Sequence, residues 1–354
     1  MKSKVLFSLV ALMVVAGLLV GCAAPAPAPT PAPTPAPAPT PAPAPPKAPI
    51  VLKIVSMLPT NNVLSQCGVG ILVKRVNERA KGELVIQWVG GPEVIPAPEQ
   101  PAAVRTGVID MADTTPSYYL DLIPEGVAFE ASELTPPEER KVGFYDWMNE
   151  LHKKKMNAYY LGRGHPGGYE KGVYVICITG LLKSPYDLIG KRLGSTPGLT
   201  RYTKALGASP FVSSVEERYT ALQQRLIDGA VTTYVSCSVG GWTEVLRYWI
   251  DHEIVPASSK NPLINLDKWN SLPKHLQDLL IQVMIEIEPE IGQCISQENQ
   301  KAKQAMIKGG MKPITFSPSD AEWYVKTCNE AVWADLAKVV SPEIYSKLRG
   351  WLRK

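Results

Sequence analysis

From Ile50 onward the chain alternates short apolar runs with stretches in which apolar residues recur every three to four positions. Residues 50–55 read as a strand, and Val69, Leu72, Val73 and Val76 share one face of a helix over residues 69–80, closed by Gly82. A second strand is expected at 84–89, ended by Gly90-Gly91-Pro92, then a short helix at 102–107 running into a strand at 108–112. The pattern next predicts a longer helix over 138–156 and strands at 158–161 and 173–178. Further strands are expected at 191–196, 210–212, 230–233, near 253–255, and at 262–266. Helices at 199–206 and 242–249, and one ending near Ile227, lie between them. Ser213 and Ser214 each have a glutamate three residues on, Glu216 and Glu217, a doubled capping-box signal for the helix ending at Ile227. Residues 274–308 read as helical nearly throughout, with Pro289 as a kink; at ~1.5 Å per residue this helix is about 50 Å long, enough to run along two lobes. Strands alternating with helices define an α/β protein whose sheets are mostly parallel and covered on both faces.

The pattern before Ile50 is of another kind. Lys2 and Lys4 precede an uncharged apolar run, residues 5–20, shorter than the ~20 residues a bilayer span needs and with no stop-transfer charge after it. Its ending, Leu19-Val20-Gly21-Cys22, resembles the lipobox of bacterial lipoproteins. That resemblance implies cleavage of a signal peptide at 1–21, lipidation of Cys22, and a chain held outside the cytoplasmic membrane, on the periplasmic side where there are two membranes. After Cys22 the segment to residue 49 is almost purely Ala, Pro and Thr with a single charge, Lys47, which makes 22–49 suited to a semi-rigid polyproline tether of about 80 Å. Stable anchoring needs two acyl chains, since one gives only marginal binding.

The remainder, about 305 residues, suffices for two lobes with separate cores. The net charge of +4 falls closer to neutral once the two leader lysines are removed, and no basic stripe with interleaved aromatics is present, so nucleic acid is excluded as a partner. Cys67, Cys177, Cys237, Cys294 and Cys328 remain after Cys22, an odd number with no C-x-x-C spacing. They read as buried small hydrophobes, with at most one disulfide whose partners the spacing does not choose.

No catalytic constellation is present: there is no Gly-x-Ser-x-Gly, no His-Glu-x-x-His and no phosphate loop. Gly162-Arg163-Gly164-His165-Pro166-Gly167-Gly168 lacks the Gly-Lys-Ser/Thr ending and fits a connection between lobes. His152 and His275 fall on charged helix faces and read as solvated; His165, in a loop, is the one histidine placed to face a cleft. A nucleophile pair such as Cys67 with His165 is the enzymatic alternative, a secreted hydrolase on a binding-protein fold.

One set of spaced motifs is specific. Ser184-Pro185-Tyr186-Asp187-Leu188-Ile189-Gly190-Lys191-Arg192-Leu193 is followed by Ala205-Leu206-Gly207-Ala208-Ser209-Pro210, then Glu217-x-Tyr219-x-Ala221-Leu222-Gln223 and Ile227-Asp228-Gly229-Ala230. Segments 68–113 and 265–273 agree with the same pattern. The chain resembles the solute-binding proteins of TRAP (tripartite ATP-independent periplasmic) transporters, the DctP type, over residues 51–335. The resemblance implies a periplasmic-binding-protein-like fold: two α/β lobes, a hinge, and a long C-terminal helix spanning both. Lobe 1 would comprise 50–165 and 255–295, and lobe 2 would comprise 166–254 and 296–354. It further implies a non-enzymatic receptor, without cofactor or metal, that closes its cleft on a small organic solute. The solute, an organic acid or a partly apolar metabolite, would pass to the small and large membrane subunits of the transporter.

The chain departs from the family where an arginine, two residues after a lysine, clamps the ligand carboxylate. Arg192 falls where the lysine is expected and Gly194 where the arginine is; one inserted residue puts Ser195 there instead. Either Arg163 or Arg201 replaces the missing charge, or the ligand has no carboxylate at that point. In the second case simple C4-dicarboxylates and sialic-acid-like sugars bind weakly. Loops at the carboxyl ends of strands supply the other cleft candidates: Ser117, Tyr118 and Tyr119; Thr196; Thr233 and Tyr234; and Tyr174 on the crossover strand.

Overall fold

The computed structural model describes residues 48–165, 174–213, 215–239, 241–254 and 260–353. Cys22, the leader and the tether to residue 47 lie outside them. Residues 47–354 form one compact unit.

Eleven strands form two sheets among the described residues. The first has the order β2 (Leu84–Gly90), β1 (Ile50–Ser56), β3 (Met111–Thr114), β10 (Asn261–Asn265), β4 (Ala158–Tyr160). Both neighbours of β1 run parallel to it, and β10 is antiparallel to β3 and β4. The second sheet has the order β11 (Lys312–Ile314), β9 (Tyr248–Ile250), β5 (Val175–Ile178), β8 (Gly229–Thr232), β6 (Arg192–Ser195), β7 (Ser209–Val212). Here β6 is parallel to β7 and β8, while β5 runs antiparallel to β8 and β9. The chain thus leaves the first sheet after β4, returns to it at β10, and reaches β11 of the second by way of the helix Lys274–Lys308. Every residue of β5, β8 and β10 is buried, the mark of strands covered on both faces.

The long helix works as a brace because its buried positions, among them Leu276, Leu280, Val283, Ile287, Ile291, Ile295 and Met306, recur at three- to four-residue spacing. It packs on the helix Ile71–Arg79 at one end of its contacts and on Tyr234–Val239 at the other. A disulfide between Cys67 and Cys294 fastens it to the π-turn Gln66–Gly70. Cys177, Cys237 and Cys328 are free and buried. An oxidised Cys67 removes the nucleophile from the hydrolase reading.

Several expected elements differ. The helix expected over 138–156 is two, Pro136–Lys141 and Phe144–Met156, because Gly143 takes a left-handed φ of 84° between them. The helical face expected from residue 69 starts as the π-turn and becomes α-helical at Ile71. Residues 242–249 hold a single 3₁₀ turn, Trp242–Glu244, before β9, and no strand forms at 253–254. His152 is fully buried, not solvated: its ring accepts from Tyr119 Oη at 3.1 Å through Nε2 and donates through Nδ1 to the Met148 carbonyl at 2.7 Å. His275 is exposed and meets Glu83 at 2.9 Å. Ser214, the second expected cap, lies outside the described residues.

Candidate functional site

Four strands, β1, β3, β6 and β8, end at one cavity between the two sheets. Met57 and Leu58 follow β1; Thr115, Ser117 and Tyr118 follow β3; Thr196 and Pro197 follow β6; Thr233 and Ser236 follow β8, whose Val231 and Thr232 also face the space. The carboxyl ends of strands in an open α/β sheet are where ligands collect, since the loops there diverge and leave polar groups unshared. Each loop is set locally. Thr115 caps the turn Pro116–Tyr118 by accepting from the Ser117 N–H at 3.4 Å, and Pro197 opens the turn that follows β6. The walls meet at Ser117 and Gly198: a Cβ on Gly198 would fall 2.6 Å from Ser117 Oγ.

The cavity measures about 140 Å³. Leu58, Leu64, Leu199 and Val231 give it apolar surface, and threonine, serine and tyrosine hydroxyls give it polar points. A mostly apolar space with a few placed polar groups orients a small organic molecule. Engineered cavities of ~150 Å³ hold benzene, which sets the scale at about six to ten heavy atoms.

Its ionisable lining is Glu130, Lys260, Arg218 and His165. Glu130 accepts from Arg201 Nη1 at 2.6 Å and from Tyr202 Oη at 2.8 Å, and Arg201 also meets Asp335 at 3.0 Å. Lys260 pairs with Asp113 at 3.1 Å and donates to the Leu64 carbonyl at 3.0 Å. Burial pushes the Asp113 carboxyl up, and the opposing effect of Lys260 does not cancel the rise. Burial holds the His165 imidazole down at about 3, with Lys260 and Arg163 adding to the effect, so this ring is neutral at ordinary pH. Arg218, from the helix Val215–Gln223, is 2% exposed and donates Nη2 to the Ser213 carbonyl at 2.9 Å.

Of the residues expected at the site, the structure brings Ser117, Tyr118, Tyr174, Thr196 and Thr233 to this lining. Gly194 and Ser195 lie in β6 just before it, both buried and off the lining. Three others point elsewhere. Tyr119 turns into the core toward His152, and burial pushes its hydroxyl up. Tyr234 donates to Glu253 at 3.1 Å with Lys303 Nζ 4.3 Å above its ring. Arg163 does not reach the cavity: its Nη2 donates to the Phe129 carbonyl at 3.1 Å and lies 3.5 Å from Glu139, and its backbone N–H donates to Glu288 at 3.0 Å. Arg201, the other expected replacement cation, is held between Glu130 and Asp335. Spacing gave no hint of Arg218, Lys260 or Glu130. The available signal for Arg218 was Gly194 itself, a glycine inside an apolar strand, which marks a place where something else approaches closely.

Two lobes around a cavity at strand ends, braced by one long helix, define a receptor that encloses a small solute. The chain belongs to the family described as bacterial extracellular solute-binding protein, family 7, which matches residues 60–338. A monocarboxylate 2-oxoacid-binding periplasmic protein of Nostoc is 25% identical over 257 residues, 71% of this chain and 70% of that one. A TRAP periplasmic solute-binding protein from Desulfovibrio salexigens, solved with orotic acid, superposes with a TM-score of 0.72 at 17% identity, over 85% of this chain and 97% of that one. Another from Shewanella oneidensis, solved with succinate, gives 0.70 at 16% identity, over 86% and 100%. The protein is thus an extracellular solute-binding receptor of that family. Among the described residues no helix is long and apolar enough to cross a membrane.

Proposed function

We propose that the solute is a small organic acid with one carboxylate and a partly apolar body. The observation that carries this reading is the lining: apolar side chains, hydroxyls from Ser117, Tyr118, Tyr174, Thr196 and Thr233, and the cation Arg218, around about 140 Å³. The relatives' own ligands support an acid, and the cavity's size favours a compact one over a sugar acid. The lobes, 50–165 with 255–295 and 166–254 with 296–354, close over this space, and Ser117 facing Gly198 is where their rims meet. Hinge closure lets a transport receptor bury its ligand and still release it. Cys22, as a lipidated N-terminus, together with the 22–49 tether, keeps the receptor within reach of the small and large membrane subunits.

The test is a thermal-shift panel of pyruvate, 2-oxobutyrate, pyroglutamate, orotate, malate and succinate, with glucose as a neutral control. At least one monocarboxylate should raise the unfolding midpoint in a concentration-dependent way, by more than either C4-dicarboxylate. A protein stabilised by glucose alone, or by no acid, overturns the reading. For the anchor, wild-type protein should fractionate with membranes and Cys22→Ala should not; wild type found wholly in the soluble fraction contradicts it.

A further inference from the structure

The end of the second sheet that lies away from the cavity collects positive charge. Strands β6, β7, β8, β9 and β11 begin there and the antiparallel β5 finishes there, since Ile178 pairs with Gly229 and Tyr248, Arg192 with Ser209, and Lys312 with Tyr248. Lys191 and Arg192 lead into β6, and Lys204 lies in the last turn of the helix Thr200–Ala205 that leads into β7. Arg225 stands in the turn before β8, where its carbonyl accepts from Arg192 Nη2 at 3.0 Å. Arg247 and Lys312, at the starts of β9 and β11, share a backbone bond of 2.9 Å, and Lys183 follows β5. All of these but the half-buried Lys191 are exposed. The same segments hold three carboxylates, each already accepting hydrogen bonds. Asp187 accepts from the N–H groups of Lys183 at 2.7 Å and Ser184 at 3.1 Å, Asp228 from the Arg192 N–H at 2.7 Å, and Glu244 from Tyr219 Oη at 3.3 Å. Lys183 and Lys191 also lie within electrostatic reach of Asp187, but seven cations against three carboxylates leave this end positive.

Apolar side chains stand among the cations. Leu181 is 63% exposed, Ile189 66%, Tyr186 48% and Leu226 45%. The first three line one open groove of about 650 Å³ together with Lys183 and Lys191. Scattered singly, such residues need no explanation, but grouped and ringed by one sign of charge they mark a contact surface. Charge alone would serve a soluble polyanion; aliphatic side chains held out among lysines and arginines suit a bilayer, where they enter the headgroup layer while the cations meet phosphates. Long basic side chains do this well, because their stems lie along apolar surface and their heads reach past it.

We propose that this end of the second sheet rests on a bilayer surface carrying anionic phospholipid headgroups. Leu181 and Ile189 enter the headgroup layer, and Lys183 and Lys191 hold phosphates beside them. The carboxyl ends of β6 and β8, and the cavity with them, then face the aqueous side, the orientation for capturing solute. The contact goes beyond the solute reading and depends on neither the solute nor Cys22.

The test uses residues 47–354, a compact unit without leader or tether, sedimented with vesicles of phosphatidylcholine alone or of equal parts phosphatidylcholine and phosphatidylglycerol. Binding to the anionic vesicles should be about tenfold tighter and should fall as salt is raised. Lys183→Glu with Lys191→Glu should weaken it about tenfold, and Leu181→Ser with Ile189→Ser about threefold. Lys74→Glu with Lys154→Glu makes the same change of net charge at exposed lysines on helices beside the first sheet, and should leave binding within about twofold of wild type. Equal binding to both kinds of vesicle, or none, overturns the proposal, as it would if the surface took a protein instead. An equal loss in the Lys74 and Lys154 pair overturns it too, since net charge alone would then be at work, and so does an apolar pair that binds as wild type does. Should the apolar pair fail to fold, the Lys183 and Lys191 pair against its control decides. Failure here leaves the solute reading untouched.

Discussion

His152 sits at the centre of an aromatic cluster, edge-on to Tyr119 and stacked 5.5 Å from Tyr160, with both ring nitrogens engaged. Burial holds its pKa down at about 4. The unfolded chain takes up a proton near pH 6.5 while the folded one does so only near 4, so stability falls as pH drops through that window and is unaffected by this group above it. At pH 5 the loss from this one ring is about 2 kcal/mol. Urea titrations of wild type and His152→Gln at pH 7 and pH 5 should show a smaller pH-dependent loss in the variant; an equal loss contradicts the assignment. Glu130 is the second informative residue, because Arg201 and Tyr202 both depend on it in a site where side chains are 8% exposed. Glu130→Ala strands a buried guanidinium that keeps only Asp335, and should cost about 3 kcal/mol, read as a lowered urea midpoint. Neither residue was legible from spacing. His152 follows three positions after Asn149 and precedes three lysines, a context that signals solvent, and only the packing of Phe144–Met156 against β4 turns it inward.

Hydrophobic period marks several elements well: β1, β5, β6, β8 and the helix Lys274–Lys308 fall within a residue or two of where the apolar pattern puts them. The pattern fails where one backbone angle or one tertiary contact decides. Gly143 breaks a helix that the apolar period carries straight through, and the π-turn Gln66–Gly70 has no sequence signature of its own. The same limit governs the site. Strand ends announce Tyr118, Thr196 and Thr233, whereas Arg218, Lys260 and Glu130 reach the cavity from elements whose packing no local spacing reveals. The Cys67–Cys294 bond belongs to this scale, since it joins residues 227 positions apart and fixes the π-turn to the brace helix. Opening a loop of that length releases denatured-chain entropy worth about 2–5 kcal/mol of stability. A reductant, or Cys67→Ser with Cys294→Ser, should therefore lower the unfolding midpoint by several degrees, as followed by circular dichroism. No change on reduction would mean that the brace is held by packing alone.

At the scale of the whole molecule, function depends on two sheets that approach across a cavity and on one helix that contacts the elements around both. Gly198 lies at the rim, where there is no room for a side chain beside Ser117. Gly198→Val should fold normally and bind an acid at least tenfold more weakly, because the rims are propped apart; X-ray scattering should then show no compaction on adding the acid. Compaction equal to wild type would place the closing contact elsewhere. The most direct measurement of the account is calorimetry with the monocarboxylate that stabilises the protein most, on wild type and on Thr233→Trp, whose indole would fill the cavity. One molecule should bind per wild-type chain and be recovered unchanged by mass spectrometry, with no binding to Thr233→Trp. Turnover of the acid, or undiminished binding to the filled cavity, would contradict it.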